Sequence, residues 1–168
     1  SKCIEKSYQY VIYNIENGNI IYSSSGQAFL SRRVPCGSLF KLFTVIYLAT
    51  ERRDLFFNHK FKCSMHNHLP LPESCWDKKG HGEMIILSAI YNSCNVFFAS
   101  LHDKINRDDF RRWFNDFTKI NGISMRLPGI KSEEEWGALL AGLDFRTDIS
   151  VKDLIKLSMI IHGSEKSG

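Results

Sequence analysis

The amino-acid sequence predicts an α+β fold that is mostly helical, with one β-hairpin near the N-terminus. Two segments rich in tyrosine and β-branched residues, 8–15 and 20–22, flank the turn-forming dipeptide Asn17-Gly18. Most of the later chain carries apolar residues at helical spacing or in short apolar runs. Since neither an internal repeat nor a linker-like composition interrupts it, we predict a single domain over residues 1–168.

The predicted elements begin with the hairpin and its following polar loop, which together occupy residues 8–33. A helix from about Ser38 to Thr50 is apolar on nearly every face, and this pattern predicts a helix buried in the domain. Residues 51–82 are rich in charged residues, histidine and proline, so we predict a loop there, with a cysteine-rich part at 59–82.

The rest of the chain is predicted to be helical, so that the helical part covers residues 38–162. The predicted segments are 83–91, 96–105, 107–118, 133–140 and 150–162. The segment 107–118 places four aromatic residues on one face, which is typical of an amphipathic helix. Ser150-Val-Lys-Asp153 has the form of a capping box with aspartate in place of glutamate, and Gly163 ends the last helix.

Composition limits the possible functions. The net charge is +4, and basic residues occur as pairs rather than runs, so no nucleic-acid partner is expected, although an anionic cell-wall polymer would suit this charge. Nothing in the chain is long and apolar enough for a transmembrane helix or a signal peptide. For an exported protein, we therefore expect the signal or membrane anchor to be absent from this chain.

Ser38 and Lys41 form the first candidate reactive pair. If a helix begins near Gly37, residues three apart share a face, so the Ser38 hydroxyl lies beside the Lys41 amine. A serine hydroxyl needs an adjacent base to act as a nucleophile. A lysine can be that base when burial lowers its pKa and leaves part of the amine neutral. The surrounding apolar residues argue against the alternative, an N-cap serine followed by a surface lysine.

The five cysteines offer a disulfide or a metal site. Cys63 and Cys75 flank a proline-containing loop and form the most plausible disulfide, worth roughly 3 kcal/mol in the chain-entropy model and indicating an oxidising compartment. The alternative is zinc bound by four side chains of this loop, Cys63, His66, His68 and Cys75. Their spacing matches no recognised zinc finger, so we predict a Cys63–Cys75 disulfide or free thiols rather than a metal site. We interpret Cys94 as a small buried residue and His81 as a turn residue.

Several further short segments occur along the chain, namely Cys75-Trp76, His81-Gly82, residues 89–98, Leu127-Pro128-Gly129 and residues 142–154. The segment 89–98 contains the triplet Ser93-Cys94-Asn95, which by itself would indicate only a helix N-cap. In their order and rough spacing, these segments and residues 33–44 resemble the active-site segments of the penicillin-binding transpeptidases, over about residues 8 to 162. Residues 33–44 are similar to that family's P-G-S-x-F-K-x-F-T segment.

The resemblance implies a serine acyltransferase that acts on D-alanyl-D-alanine stem peptides of peptidoglycan and is trapped by β-lactams. It implies Ser38 as the acylated nucleophile, Lys41 as its base, Ser93 as the proton relay to the leaving amine, and Asn95 as a substrate-binding residue. No metal or organic cofactor is implied, and the expected location is extracytoplasmic, in the periplasm or at the outer face of the membrane.

The family's third motif, Lys-Thr/Ser-Gly on a strand, has no convincing counterpart. Lys166-Ser167-Gly168 matches its letters but follows too closely after Gly163, so we interpret it as coincidence or as a tail. We therefore expect the mostly helical portion of a transpeptidase-like fold, with most of the sheet missing and supplied by a C-terminal segment or a partner chain. Whether the chain is an enzyme stays open. The alternatives are a catalytically inactive scaffold module in cell-wall assembly, and a β-lactamase or β-lactam sensor.

Overall fold

A computed structural model describes residues 8–64 and 75–165, and in this part of the chain it contains six short strands and eight helices. The strands are β1 (Val11–Tyr13), β2 (Ile20–Ser23), β3 (Arg33–Pro35), β4 (Phe61–Cys63), β5 (Gly82–Met84) and β6 (Asp148–Ser150). The helices are α1 (Gly26–Leu30), α2 (Phe40–Glu51), α3 (Arg53–Asn58), α4 (Ile86–Tyr91), α5 (Asn95–Ala99), α6 (Arg107–Ile120), α7 (Glu133–Leu140) and α8 (Val151–Glu165). The predicted α+β class is confirmed.

The chain folds as two compact units. The first, the hairpin unit, contains the residues up to Val34, Lys119–Ser124 and the residues from Ile149 onward. The second, the helical unit, contains Pro35–Thr118 and Met125–Asp148. Within the described residues, no helix is both long and apolar enough to cross a membrane.

The hairpin unit is built on the predicted hairpin. Strands β1 and β2 pair antiparallel with Val11 opposite Ser23 and Ile12 opposite Tyr22. Gly18 has a φ of +72°, a conformation that glycine adopts without steric cost in the connecting turn. A small apolar core holds the unit together, and its members are Leu30, Val151, Ile155 and the partly buried Val11, Tyr13, Phe29 and Met159.

Helix α8 begins with the predicted serine cap. The Asp153 N–H donates a hydrogen bond to the Ser150 Oγ over 3.1 Å. The Asp153 carboxylate accepts hydrogen bonds from the Ser150 hydroxyl at 2.8 Å and from the Ser124 N–H at 3.1 Å. These bonds lower the pKa of Asp153 against the opposing effect of its burial. At the position where a capping box has glutamate, Asp153 therefore bonds the Ser150 side chain and the backbone of the loop residue Ser124.

The helical unit packs around α2, as its apolar sequence predicts. Phe40, Phe43 and Tyr47 on α2 contact Phe110 and Phe114 on α6, and the Tyr47 and Phe110 ring centroids lie 5.0 Å apart. All five side chains are at most 3% exposed. Large buried aromatic surfaces of this kind dominate the energetics of a core. Their packing against α6 therefore holds the N-terminal half of α2 in place.

The loop predicted at residues 51–82 is partly wrong. Helix α3 and strand β4 lie within it, and β4 pairs antiparallel with β5, with Cys63 opposite Gly82. Consequently the helix predicted from residue 83 begins at Ile86. Three-residue strands are too short to show alternating hydrophobicity, and their pairing partners are distant in sequence, so no local pattern revealed them. His66 and His68 of the predicted loop, like Lys166-Ser167-Gly168, lie outside the described residues.

Candidate active site

Ser38 lies on a single 3₁₀ turn, Gly37–Leu39, directly before α2. Its side chain is exposed, whereas Phe40 and Lys41, which follow, are fully buried. Gly142 packs tightly against this turn. A Cβ on Gly142 would lie only 2.3 Å from the Gly37 carbonyl oxygen. The backbone around Ser38 is therefore held in place, while the residue itself remains accessible to solvent.

Lys41 is the centre of the site. Its Nζ donates hydrogen bonds to the Ser38 Oγ at 3.0 Å, the Ser93 Oγ at 3.2 Å and the Asn95 Oδ1 at 2.8 Å. The structure thus brings together the four residues that the sequence predicted as catalytic or substrate-binding. Ser38 and Lys41 come from the 3₁₀ turn and the start of α2, and Ser93 and Asn95 from the end of α4 and the start of α5, about fifty positions later in sequence.

Burial also changes the protonation of Lys41. It lowers the pKa of the amine to about 8, although the nearby Cys94 and Cys75 thiols counteract part of this effect. At pH 7 roughly a tenth of such amines are neutral, compared with fewer than one in a thousand for an ordinary lysine. A neutral Nζ in contact with Ser38 can accept the hydroxyl proton. The Phe98 ring, with its centroid 5.8 Å from Nζ, forms one apolar wall of this environment. This role of Phe98 was not predicted from the sequence.

Ser93 occupies a strained position at the end of α4. The Ser93 N–H donates to the Ile90 carbonyl at 3.1 Å, and the Cys94 N–H donates to the Ala89 carbonyl at 2.9 Å. This pair of bonds is the Schellman motif, whose first residue after the cap is usually glycine in the left-handed region. Ser93 has a φ of +47°, the only positive value of a non-glycine residue in the described parts of the chain. Such strain concentrates at functional sites, where a side chain must point in a fixed direction.

Asn95 is the first residue of α5, and the four residues behind it are almost fully buried: Val96, Phe97, Phe98 and Ala99. The buried helix fixes the Asn95 side chain against Lys41. Because the Asn95 Oδ1 accepts from Lys41, its Nδ2 can be directed toward a bound carbonyl.

The predicted Cys63–Cys75 disulfide is not formed in the structure, where both thiols are free. The His81 ring lies close to both, with Nδ1 at 3.6 Å from the Cys63 Sγ and 3.2 Å from the Cys75 Sγ. Cys94 completes a group of four possible metal-ligand side chains with Cys63, Cys75 and His81. Burial raises the pKa of Cys75 and that of Cys94, the latter to about 12. Of these four residues, only Cys63 and Cys75 were considered as metal ligands from sequence, whereas Cys94 was interpreted as a buried residue and His81 as a turn residue.

The family of this chain follows from its comparison with known proteins. Residues 9–147 match the family model of the penicillin binding protein transpeptidase domain. Stage V sporulation protein D of Bacillus subtilis (strain 168) is 25% identical over an alignment of 126 residues, and the match covers 64% of this chain and 20% of that protein.

A crystal structure of penicillin-binding protein D2 from Listeria monocytogenes, in its cefotaxime-bound form, superposes with a TM-score of 0.60 at 19% identity. The match covers 93% of this chain and 62% of that one. The chain therefore spans about a fifth of the curated relative and less than two thirds of the solved one.

Proposed function

Because the chain belongs to the penicillin-binding protein transpeptidase family, we propose that it carries the nucleophile of a serine acyltransferase acting on D-alanyl-D-alanine stem peptides of peptidoglycan. The main support for this proposal is that the buried Lys41 Nζ hydrogen-bonds Ser38, Ser93 and Asn95 at the same time. Such an extracytoplasmic substrate places the site on the outer side of the cytoplasmic membrane.

The first step is acylation of Ser38. The neutral Lys41 amine takes the proton as the Ser38 Oγ attacks the carbonyl carbon of the penultimate D-alanine. The tetrahedral oxyanion accepts a hydrogen bond from the Ser38 backbone N–H. When the C–N bond breaks, the proton returns from Lys41 through the Ser93 hydroxyl to the leaving amine of the terminal D-alanine. An ester on Ser38 remains.

The second step releases the enzyme. An amine of a neighbouring stem peptide, or water, attacks the ester and returns Ser38 to its hydroxyl form. Asn95 positions the substrate by directing its Nδ2 at a backbone carbonyl of the peptide. A β-lactam follows the same first step, with its ring C–N bond breaking, and cefotaxime bound to the Listeria monocytogenes protein is consistent with this chemistry in the family.

The test is covalent labelling of the natural full-length protein by a fluorescent penicillin, with the modified peptide identified by mass spectrometry. We expect one label, on Ser38, and none in Ser38→Ala. Ser31→Ala, which removes an exposed serine in the hairpin unit, is the matched control and should label normally. Labelling that persists in Ser38→Ala would overturn the proposed nucleophile. A folded protein that never labels would support the inactive scaffold instead.

The same experiment separates the remaining alternatives. A labelled protein that loses its label within seconds by hydrolysis acts as a β-lactamase, whereas a stable label fits a transpeptidase or a β-lactam sensor. Release of D-alanine from a stem-peptide substrate then distinguishes the transpeptidase from the sensor.

A further inference from the structure

Three thiols and an imidazole converge beside the Ser93–Asn95 segment, and the acylation chemistry does not use them. Cys63 comes from β4, Cys75 and His81 from the segment before β5, and Cys94 from the residue before α5. Their ligand atoms all lie within 4.8 Å of one another. In sequence these four residues span thirty-two positions, so the fold assembles the group.

The distances suit a tetrahedral metal ion. Bond lengths of 2.3 Å to sulfur and 2.0–2.1 Å to nitrogen imply ligand-to-ligand separations of roughly 3.5 to 3.8 Å. The His81 Nδ1 lies 3.2 Å from the Cys75 Sγ and 3.6 Å from the Cys63 Sγ. Since no two of the four ligand atoms are more than 4.8 Å apart, an approach of about 1 Å at most brings every pair to these separations.

The surroundings are those of a closed site. The exposed fractions of Cys63, Cys75 and Cys94 are 1%, 6% and 0%. The backbone N–H of Phe97 donates to the Cys94 Sγ at 3.5 Å, and the backbone of Asp77 hydrogen-bonds Cys75. Burial, the larger effect, still raises the pKa of both thiols. The thiols are therefore protonated in the metal-free site, and a metal ion has to displace their protons when it binds.

The loop that carries His81 is shaped to bring it to Cys63. Gly80 has a φ of +76°, and a Cβ there would lie 2.4 Å from the Cys63 carbonyl oxygen, so only glycine permits this approach. The Trp76 ring packs against the imidazole with centroids 5.0 Å apart. The His81 Nε2 is buried and has no hydrogen-bond partner in the described residues. No described polar group therefore competes with the sulfurs for the orientation of this ring.

We propose that Cys63, Cys75, His81 and Cys94 bind one structural zinc ion. Three sulfurs and one nitrogen are a ligand set that tetrahedral Zn²⁺ favours, and four protein ligands leave no open position for catalysis. On binding, each of the three thiols releases its proton to solvent. The site and a Cys63–Cys75 disulfide exclude each other, because zinc needs both sulfurs as thiolates.

The zinc site would act on the active site through Cys94. Its chain neighbours are Ser93 and Asn95, whose side chains both contact Lys41. The metal therefore anchors the middle of the segment that positions them, with Ser93 in its strained conformation. Loss of zinc should slow acylation without changing any residue that contacts the substrate. Zinc content can be measured whether or not the chain acylates, so this inference does not depend on the proposed function.

The decisive experiment is the metal content of the purified chain, measured by inductively coupled plasma mass spectrometry after expression with zinc. We expect about one zinc per chain, less than a tenth of that in Cys75→Ala and in His81→Ala, and full content in His81→Cys, which keeps four ligands. Cys36→Ala is the control, since Cys36 is equally buried but lies outside the group. Equal zinc in His81→Ala and the parent chain would overturn the site.

A second measurement avoids variants that fold poorly. Zinc X-ray absorption on the parent chain should show about three sulfur neighbours near 2.3 Å and one nitrogen near 2.0 Å. Replacement of zinc by Co²⁺ should give thiolate-to-cobalt charge-transfer bands in the near ultraviolet. A zinc-free folded chain, or one whose mass shows two hydrogens lost to a Cys63–Cys75 disulfide, would refute the proposal.

Discussion

Lys41 shows how one buried residue links stability to chemistry. Its amine is fully buried, and burial brings its pKa to about 8, below the ordinary value near 10.4 that it has when unfolded. Between these two values the unfolded chain binds more protons than the folded one, so the free energy of unfolding rises with pH across that window. Below pH 8 the protonated amine costs folding stability. Burial of Lys41 thus lowers folding stability near neutral pH, but it also supplies the neutral amine, which a surface lysine would almost entirely lack.

The same pKa predicts how acylation depends on pH. The second-order rate constant for labelling by a penicillin should rise about tenfold per pH unit below 8 and level off above it, because only the neutral Lys41 amine accepts the Ser38 proton. Labelling reactions quenched at a series of times, between roughly pH 6 and 9.5, measure this rate constant as a function of pH. In Lys41→Arg the guanidinium stays protonated, so labelling should fall at least ~100-fold at every pH. A flat profile in the parent protein would show that Lys41 is not the base.

Two helix ends hold the active-site backbone with the same motif. Helix α7 ends with the Gly142 N–H bonded to the Leu139 carbonyl at 2.9 Å and the Leu143 N–H to the Ala138 carbonyl at 2.8 Å, as α4 ends around Ser93. Gly142 has a φ of +70° and packs against the Gly37 backbone, while Ser93 has a positive φ without being glycine. At the position with positive φ, the end of α7 therefore has glycine, Gly142, whereas the end of α4 has a residue with a hydroxyl group, Ser93.

Exchange of the two residue types should give opposite effects on stability. We expect Ser93→Gly to raise the free energy of unfolding by roughly 1 kcal/mol through relief of backbone strain, while labelling falls ~100-fold for lack of the relay hydroxyl. The matched variant Gly142→Ser should lose roughly 2 kcal/mol or more, because its Cβ meets the Gly37 carbonyl. Chemical denaturation and penicillin labelling test both. A destabilised Ser93→Gly would contradict the assignment of strain.

Elements with a strong local signal were predicted from sequence, and those made by distant pairing were not. The hairpin around Asn17-Gly18, the apolar helix α2 and the serine cap of α8 follow from short-range patterns, and the structure contains all three. The β4–β5 pair and the approach of His81 to Cys94 depend on chain segments far apart in sequence. Ser93 and Asn95 were predicted only through the family resemblance, since Ser-x-Asn alone is a common helix cap.

At the scale of the whole molecule, the chain presents an apolar surface on its hairpin unit. Val11 and Tyr13 face the small core of that unit, so the alternate residues of β1 point away from it. On this outer face Tyr10 and Tyr22 stack with centroids 5.6 Å apart. The exposed fractions are 80% for Tyr8, 51% for Tyr10 and Ile12, and 50% for Tyr22. A contiguous exposed apolar patch of this kind promotes association.

We therefore expect the 168-residue chain to self-associate as its concentration rises. The double variant Ile12→Thr, Tyr22→Thr should remain monomeric at concentrations about tenfold higher, because threonine keeps the strand propensity while removing most of the apolar surface. Ile120→Thr is the matched control, since Ile120 is 81% exposed but is the last residue of α6 and not part of the hairpin strands. Sedimentation velocity across a concentration series measures the effect. A parent chain that sediments as one monomeric species at every concentration, or a control that changes as much as the double variant, would show that the hairpin face does not drive association.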